Sequence, residues 1–322
     1  MWPKNIDLVD RKILAQLDKN ARISYSELGK RMRIAKETVK YRIGQLQKKG
    51  IIKGFYTVIN LSKIGFTVYR VYLRLQNTSP KLEQEITKYL STSKNVAVLY
   101  RTNGPFHIAV GVWARDVWEY EQFLSELKRR FGTYFSMSQI SIICEYLEFS
   151  RPYFLPGESE KETYTTITKA KPEELDEIDF RLLVLISNNG RASTVEIAKK
   201  LGVSIVTARY RLKSLIKRKV IGGFRLILNL NAIGREYYKV DLWLSKFERR
   251  EEILNHILAN ENVIYTERTL GGGDLEFDIE AEGFGEFIQI MDSFRSEFPD
   301  DISYYSYYSL VENCKTSYIP SL

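Results

Sequence analysis

Apolar residues at Ile6, Val9, Ile13, Leu14 and Leu17 recur at the three- and four-residue steps of one helical face, and Leu175, Ile178, Leu182, Leu183 and Ile186 repeat that face later in the chain. Each is followed by a Ser-x-x-Glu signal, Ser24 with Glu27 and Ser193 with Glu196, which predicts a reciprocal capping box at the start of a second helix. These short helices should end near Met32 and Leu201. Tight turns at Arg33-Ile34 and Gly202-Val203 then lead into third helices predicted over 36–49 and 205–219. Val39, Ile43 and Leu46 fall on the inner side of the first of these, and Ala208, Leu212 and Leu215 on that of the second. Helix, short helix, tight turn, helix is the helix-turn-helix plan.

Alternating stretches at 55–61 and 224–230 read as strands. Beyond them the first copy predicts a strand at 68–75, a helix at 81–90, strands at 96–101 and 107–113, a helix at 116–131 and a strand at 138–148. The second copy repeats this order over 237–244, 251–259, 263–269, 275–281, 285–298 and 303–312. Strand-helix-strand-strand-helix-strand is the ferredoxin-like plan, a four-stranded antiparallel sheet with two helices on one face. Residues 7–65 and 176–234 align without a gap at an offset of 169, through pairs such as Asp10/Asp179, Arg22/Arg191, Thr38/Thr207, Arg42/Arg211 and Phe55/Phe224. The chain is therefore α+β, two copies of a winged helix-turn-helix module followed by a βαββαβ domain. The expected boundaries are 1–54 and 55–150 for the first unit, a linker at 151–172, and 173–223 and 224–322 for the second.

Charge sharpens this picture because it is unevenly placed. Residues 1–54 carry 14 Lys/Arg against 5 Asp/Glu and residues 171–223 carry 11 against 6, whereas 224–322 carry 9 against 18. Positive charge concentrated in two small helical modules is the footprint of phosphate-backbone binding. On the third helices Lys36, Glu37, Thr38, Lys40, Tyr41 and Lys48 face outward in copy one, and Val206, Thr207, Arg209, Tyr210, Lys213 and Lys217 in copy two. Lys and Arg can meet guanine in the major groove, and Tyr can hold a phosphate. Arg42 and Arg211 lie at the edge of the buried side, where either a phosphate contact or an ion pair with Asp10 or Asp179 is open to them. The two faces differ: Ile205 and Val206 can touch thymine methyls where Lys36 and Glu37 stand in copy one, so the heads should prefer different half-sites. Double-stranded DNA is the expected partner.

The motifs Asp-x-x-x-Leu (Asp10 to Leu14, Asp179 to Leu183), Asn-x-Arg-x-Ser (Asn20 to Ser24, Asn189 to Ser193) and Ile-x-Gly-Phe (Ile52 to Phe55, Ile221 to Phe224), in that order around the third helix, resemble the Lrp/AsnC family of transcriptional regulators. With the ferredoxin-like half, the resemblance covers nearly the whole chain twice. It implies self-association through the sheets, here either within one chain, as a pseudo-dimer with two unlike heads, or between chains. It also implies a small-molecule effector such as an amino acid, held near the turn between the second and third strands. In copy two that turn runs through Arg268, Gly271, Gly272, Gly273 and Asp274, where glycine amides could approach a carboxylate and Asp274 could accept from an ammonium. Copy one has Gly104 but His107 in place of the acid. A glycine run in a hairpin can equally serve only the turn. The acidity of the second sheet favours a cationic ligand.

An enzyme on this fold is the alternative, since sirohaem decarboxylases are similar in architecture and some are tandem fusions. Such chemistry would bring histidines and arginines onto tetrapyrrole carboxylates. This chain has only His107, on a strand beside the hairpin, and His256, expected to be exposed on a polar helix. A third reading is a sensor or scaffold with degenerate heads. Cys144 and Cys314 stand at unrelated repeat positions and read as free buried thiols, with no metal site or cofactor expected. No apolar run reaches membrane-spanning length and the first residues carry no signal-peptide pattern, so the expectation is a cytoplasmic protein that does not engage membranes.

Overall fold

In the computed structural model, which describes residues 2–157 and 160–320, Asp7 starts helix α1 (Leu8–Lys19) by accepting the Asp10 amide at 2.8 Å, and the Asp10 carboxylate reaches back to the Asp7 amide at 3.4 Å. That reciprocal box lies one helix earlier than the sequence signal placed it. At α2 (Tyr25–Met32) only half of the predicted box forms: Ser24 Oγ accepts the Glu27 amide at 3.1 Å, while the Glu27 carboxylate turns along the helix to Arg31 at 3.0 Å. Helix α3 (Lys36–Lys48) follows, burying Val39, Ile43 and Leu46 as the spacing required. The second head repeats the design with α6 (Glu177–Ser187), α7 (Thr194–Leu201) and α8 (Ile205–Lys217).

The heads are joined to each other. Strands β1 (Ile52–Ile59) and β7 (Ile221–Leu228) form a two-stranded antiparallel ribbon in which Tyr56 pairs with Arg225, Phe55 with Leu226 and Thr57 with Phe224. Exchanging the repeats maps this register onto itself, so the ribbon lies on a pseudo-two-fold axis. Reciprocal bonds follow the same symmetry: Ala21 N–H donates to Phe224 O at 2.8 Å, and Gly190 N–H donates to Phe55 O at 2.8 Å. The arginines of the Asn-x-Arg-x-Ser motif clamp the pair. Arg22 donates to Gly190 O at 2.9 Å and lies over the Phe224 ring, while Arg191 donates to Ala21 O and lies over Phe55. One hydrophobic core serves both heads.

The two ferredoxin-like sheets close on one another. The first comprises β2 (Thr67–Leu75), α4 (Pro80–Thr92), β3 (Val96–Asn103), β4 (Ile108–Ala114), α5 (Val117–Phe131) and β5 (Phe135–Phe149). The second comprises β8 (Glu236–Leu244), α9 (Arg250–Ala259), β9 (Val263–Leu270), β10 (Leu275–Ala281), α10 (Phe284–Glu297) and β11 (Ile302–Thr316). Strand β3 pairs with β11, and β9 pairs with β5, so the order β2-β4-β3-β11-β8-β10-β9-β5 returns to β2 and makes a closed ring. The two seams are equivalent: Glu145 faces Arg268 in one and Glu312 faces Arg101 in the other. Closure leaves neither seam edge of the two sheets exposed. The helices cover the outside of the ring, on cores built from Val71, Leu73, Val110 and Leu127 in one half and Val240, Phe277, Phe287 and Met291 in the other.

The segment expected as a linker is anchored. Tyr153 and Phe154 are buried in the head core, and β6 (Thr163–Ile167) pairs with β5 on the side that β2 vacates. The proline and glycine that suggest a linker flank an aromatic pair, and the pair decides the packing. Cys144 is exposed and Cys314 half-buried, both as free thiols, so burial does not describe Cys144. Cys144 is the residue skipped where the β5–β9 register shifts between Ile143 and Glu145. No helix among the described residues is long and apolar enough to cross a membrane.

Candidate nucleic-acid interface

Helix α3 has no side-chain cap, because Ala35 precedes it, whereas Ser204 caps α8 by accepting the Thr207 amide at 3.0 Å. The two helices share exposed cations and a tyrosine but differ at their starts, Lys36-Glu37 against Ile205-Val206. Lys36, Glu37, Thr38, Lys40, Tyr41 and Lys48 are exposed on α3, as are Arg209, Tyr210, Lys213 and Lys217 on α8. Tyr41 is 66% exposed and Val206 76%. Thr207 is half-buried, with its hydroxyl against Ser204 Oγ at 2.8 Å. Among the described residues, the cations Lys36, Lys40, Lys48, Arg209, Lys213 and Lys217 take no hydrogen-bond or ion-pair partner from the protein.

Arg42 and Arg211 differ from these. Arg42 Nη1 bonds Asp7 Oδ2 at 2.8 Å and Asp10 Oδ1 at 2.9 Å, tying α3 to the cap of α1. Arg211 makes the equivalent bonds to Asp176 at 2.5 Å and Asp179 at 3.1 Å. Asp176 sits below the ordinary carboxylate range chiefly because it accepts the Asp179 amide, with Arg211 adding to the effect. Of the two roles open to these arginines, the ion pair is the one formed. Their charge faces the protein, and the outer strip is left to the unpaired cations.

The hairpin glycines are held by packing. A Cβ on Gly272 would lie 1.7 Å from Glu276 Oε1, and one on Gly273 would lie 2.9 Å from Leu242 N. Gly271 has φ +89° and approaches Ile140 O. Arg268 pairs with Glu251 at 3.0 Å. Asp274 Oδ2 accepts the Leu244 amide at 2.8 Å, and in copy one His107 Nδ1 accepts the equivalent Leu75 amide at 3.1 Å. The two side chains differ in chemistry but perform one task, closing the last amide of the first strand. Accordingly His107→Asp should leave thermal stability nearly unchanged, whereas His107→Leu strands the buried Leu75 amide and should cost about 1–3 kcal/mol in a urea melt. His256 is half-buried, edge-on to Phe294 and Phe298, where its exposure was expected. The helix is polar only on its other face.

Beneath the heads lies a buried ionic latch that the motifs did not reveal. Arg151 donates to both Glu280 oxygens at 2.8 Å and to Asp18 on α1 at 2.7 Å. Arg225, fully buried, joins Asp18 at 3.1 Å to Glu148 at 3.1 Å, and Tyr56 donates to Glu148 at 2.5 Å. Burial works to raise the Asp18 pKa, but Arg225 and Arg151 outweigh it and hold the carboxyl below its usual range. Head and ring are thus locked through charges that solvent barely reaches. Arg151 sits beside Pro152 in the sequence, and nothing in its neighbours announces the two acids it meets.

Residues 6–53 and 175–221 each match the family model for winged helix-turn-helix DNA-binding domains. The chain is 34% identical over 143 residues to an uncharacterized HTH-type transcriptional regulator of Pyrococcus horikoshii, covering 44% of this chain and 92% of that protein. It is 34% identical over 111 residues to the HTH-type transcriptional regulator LrpA of the same organism, covering 34% of this chain and 77% of that one. Among solved structures, the siroheme decarboxylase NirDL superposes on 98% of this chain and 94% of its own with a TM-score of 0.65 at 15% identity, a likeness of fold.

Proposed function

The chain belongs to the Lrp/AsnC family of HTH-type transcriptional regulators, as a tandem that carries both units in one polypeptide, and from that premise we propose that it reads an asymmetric operator with two unlike heads. What carries this reading is the division of labour among the cations. Those that brace the heads are paired, while Lys36, Lys40, Lys48, Arg209, Lys213 and Lys217 stand exposed on the two recognition helices. Unpaired, solvated cations are the ones that release counterions on meeting phosphates. Tyr41 and Tyr210 sit beside them at equivalent positions and add phosphate contacts. Base preference comes from the positions that differ: Lys36 and Glu37 face a half-site where they can donate or accept, and Ile205 and Val206 face one whose thymine methyls they can touch. Because the pseudo-two-fold relates the heads within one chain, a single chain would occupy both half-sites. A binding selection from genomic fragments, followed by footprinting at near-physiological salt, tests this. Two unlike protected half-sites are expected. Protection without sequence preference would reduce the protein to an architectural binder, and no binding would remove the reading.

The full-length likeness to NirDL gives a specific reason to weigh tetrapyrrole chemistry. Acidic tetrapyrrole side chains need unpaired cations. Here Arg70, Lys239 and Arg151 already meet carboxylates at 2.8 Å or less, and both histidines are engaged elsewhere. These pairings favour the regulator. A haem-analogue titration with no Soret shift is the expected result.

A further inference from the structure

Closing two ferredoxin-like sheets into a ring turns their helix-free faces inward, around a cavity of about 1030 Å³. The two halves line it differently. In copy one β4 presents Ala109, Gly111 and Trp113; the equivalent places on β10 are Glu276, Asp278 and Glu280, as their shared registers with β2 and β8 show. Midway along the ring Arg70 and Lys239 face Glu267, Glu276, Asp241 and Asp278. Glu267 and Glu276 bridge both cations, at 2.8 and 2.5 Å from Arg70 and 2.7 and 2.8 Å from Lys239. Of the two cations, Asp241 and Asp278 meet only Lys239, at the longer distances of 3.4 and 3.8 Å. Asp278 is 1% exposed, receives a hydrogen bond from Tyr237 on Oδ2, lies 3.8 Å from Lys239 through Oδ1, and that oxygen accepts no hydrogen bond. Tyr72, 2% exposed and lining the same cavity, has a hydroxyl with no partner at all. Burial, with Glu267 adding to it, pushes the Asp278 carboxyl up to about 7 against the pull of the more distant Lys239.

We propose that this lumen is a binding site for a small organic amine, its ammonium against Asp278 and Tyr72 and its carbon chain against the rings of Tyr100, Tyr146, Tyr265 and Tyr308. Tyrosine faces attract cations and accept methylenes, a combination suited to an alkylamine. The volume far exceeds that of a bare metal ion, and no metal-binding cluster occurs among the described residues. Beside Asp278 an amino acid's carboxylate would meet no free cation, because Arg70 is held by Glu267 and Glu276 and Lys239 by these two with Asp241 and Asp278; Lys53 stands on the wall at the head ribbon. Lys53, Val311 and Glu312 on the cavity wall are exposed, giving the ligand an entrance, and Leu226 and Ile227 of the head ribbon form another part of that wall. Amine binding in the lumen is independent of DNA recognition and is tested without DNA.

The test is calorimetric titration of the full chain with 1,5-diaminopentane, and with lysine, which is the same diamine bearing a carboxylate. The diamine should bind at least tenfold more tightly than lysine. Asp278→Asn neutralises a buried carboxyl that faces Lys239 only at 3.8 Å and leaves an oxygen to accept from Tyr237, so the variant should fold as well as the parent by thermal melt, yet lose at least tenfold in diamine affinity. Absence of diamine binding, equal binding of lysine, or unchanged affinity in a folded Asp278→Asn variant would each overturn the assignment.

Discussion

Replacing Arg151 with methionine should lower the unfolding free energy by about 3–5 kcal/mol at neutral pH. The guanidinium is 6% exposed and is the bond between Asp18 on the first head and Glu280 on the ring. Methionine fills much of the same space, so the loss is electrostatic. Glu280 keeps only the Tyr153 hydroxyl, and Asp18 keeps Arg225 at 3.1 and 3.2 Å. An uncompensated buried carboxylate costs far more than the intact pair contributes, and this asymmetry sets the size of the effect. Urea melts of the single variant and of Arg151→Met with Glu280→Gln separate the parts, since neutralising Glu280 should restore a sizeable fraction. The pH dependence has a definite sign. Asp18 has a depressed carboxyl in the folded protein, so its contribution is present above its unfolded value near 3.8 and is lost as pH falls through the lower folded value. The gap between parent and variant should therefore narrow in strong acid. A loss under about 1 kcal/mol at neutral pH would mean that the latch does not hold head to ring.

Much of this architecture is written in the chain, because helices and strands announce themselves by periodicity. The third helices bury Val39, Ile43 and Leu46 and their counterparts, as the spacing requires. What periodicity does not carry is where a polar face points. Residues 275–281 alternate Leu-Glu-Phe-Asp-Ile-Glu-Ala, which ordinarily means apolar inward and acid to solvent. Here the apolar side meets Phe287 and Met291 of α10, while the acids face a lumen that exists only because two distant seams close. Closure depends on pairings between distant residues, such as Thr102 with Leu310 and Ile142 with Leu270, and no local window records them. The same limit applies to Arg151. The motif arginines Arg22 and Arg191 were visible as repeated letters, but their task of stacking on the opposite head's phenylalanine needed the ribbon to appear first.

The double variant Lys40→Glu with Arg209→Glu should lose DNA affinity on the order of 10²-fold at about 0.1 M salt and leave the fold intact. Both side chains are exposed and neither is bonded to the protein, so reversal disturbs no internal contact. Each phosphate contact removed should reduce the slope of log affinity against log salt by about 0.9, so loss of one in each head predicts a slope shallower by about 2. Affinity and slope together discriminate. A base contact would cost affinity at one operator position with little change in slope, whereas a phosphate contact costs affinity on every sequence alike. Gel-shift series at several salt concentrations, on the selected operator and on unrelated duplex, provide both numbers. Unchanged affinity and slope in the double variant would remove these helices from the interface. The single variants then address the difference between the heads. If Arg209→Glu costs as much as Lys40→Glu, the second head engages DNA despite its apolar Ile205-Val206 entrance. If only Lys40→Glu matters, the second copy serves to complete the ribbon and the ring, and the first head alone selects the site.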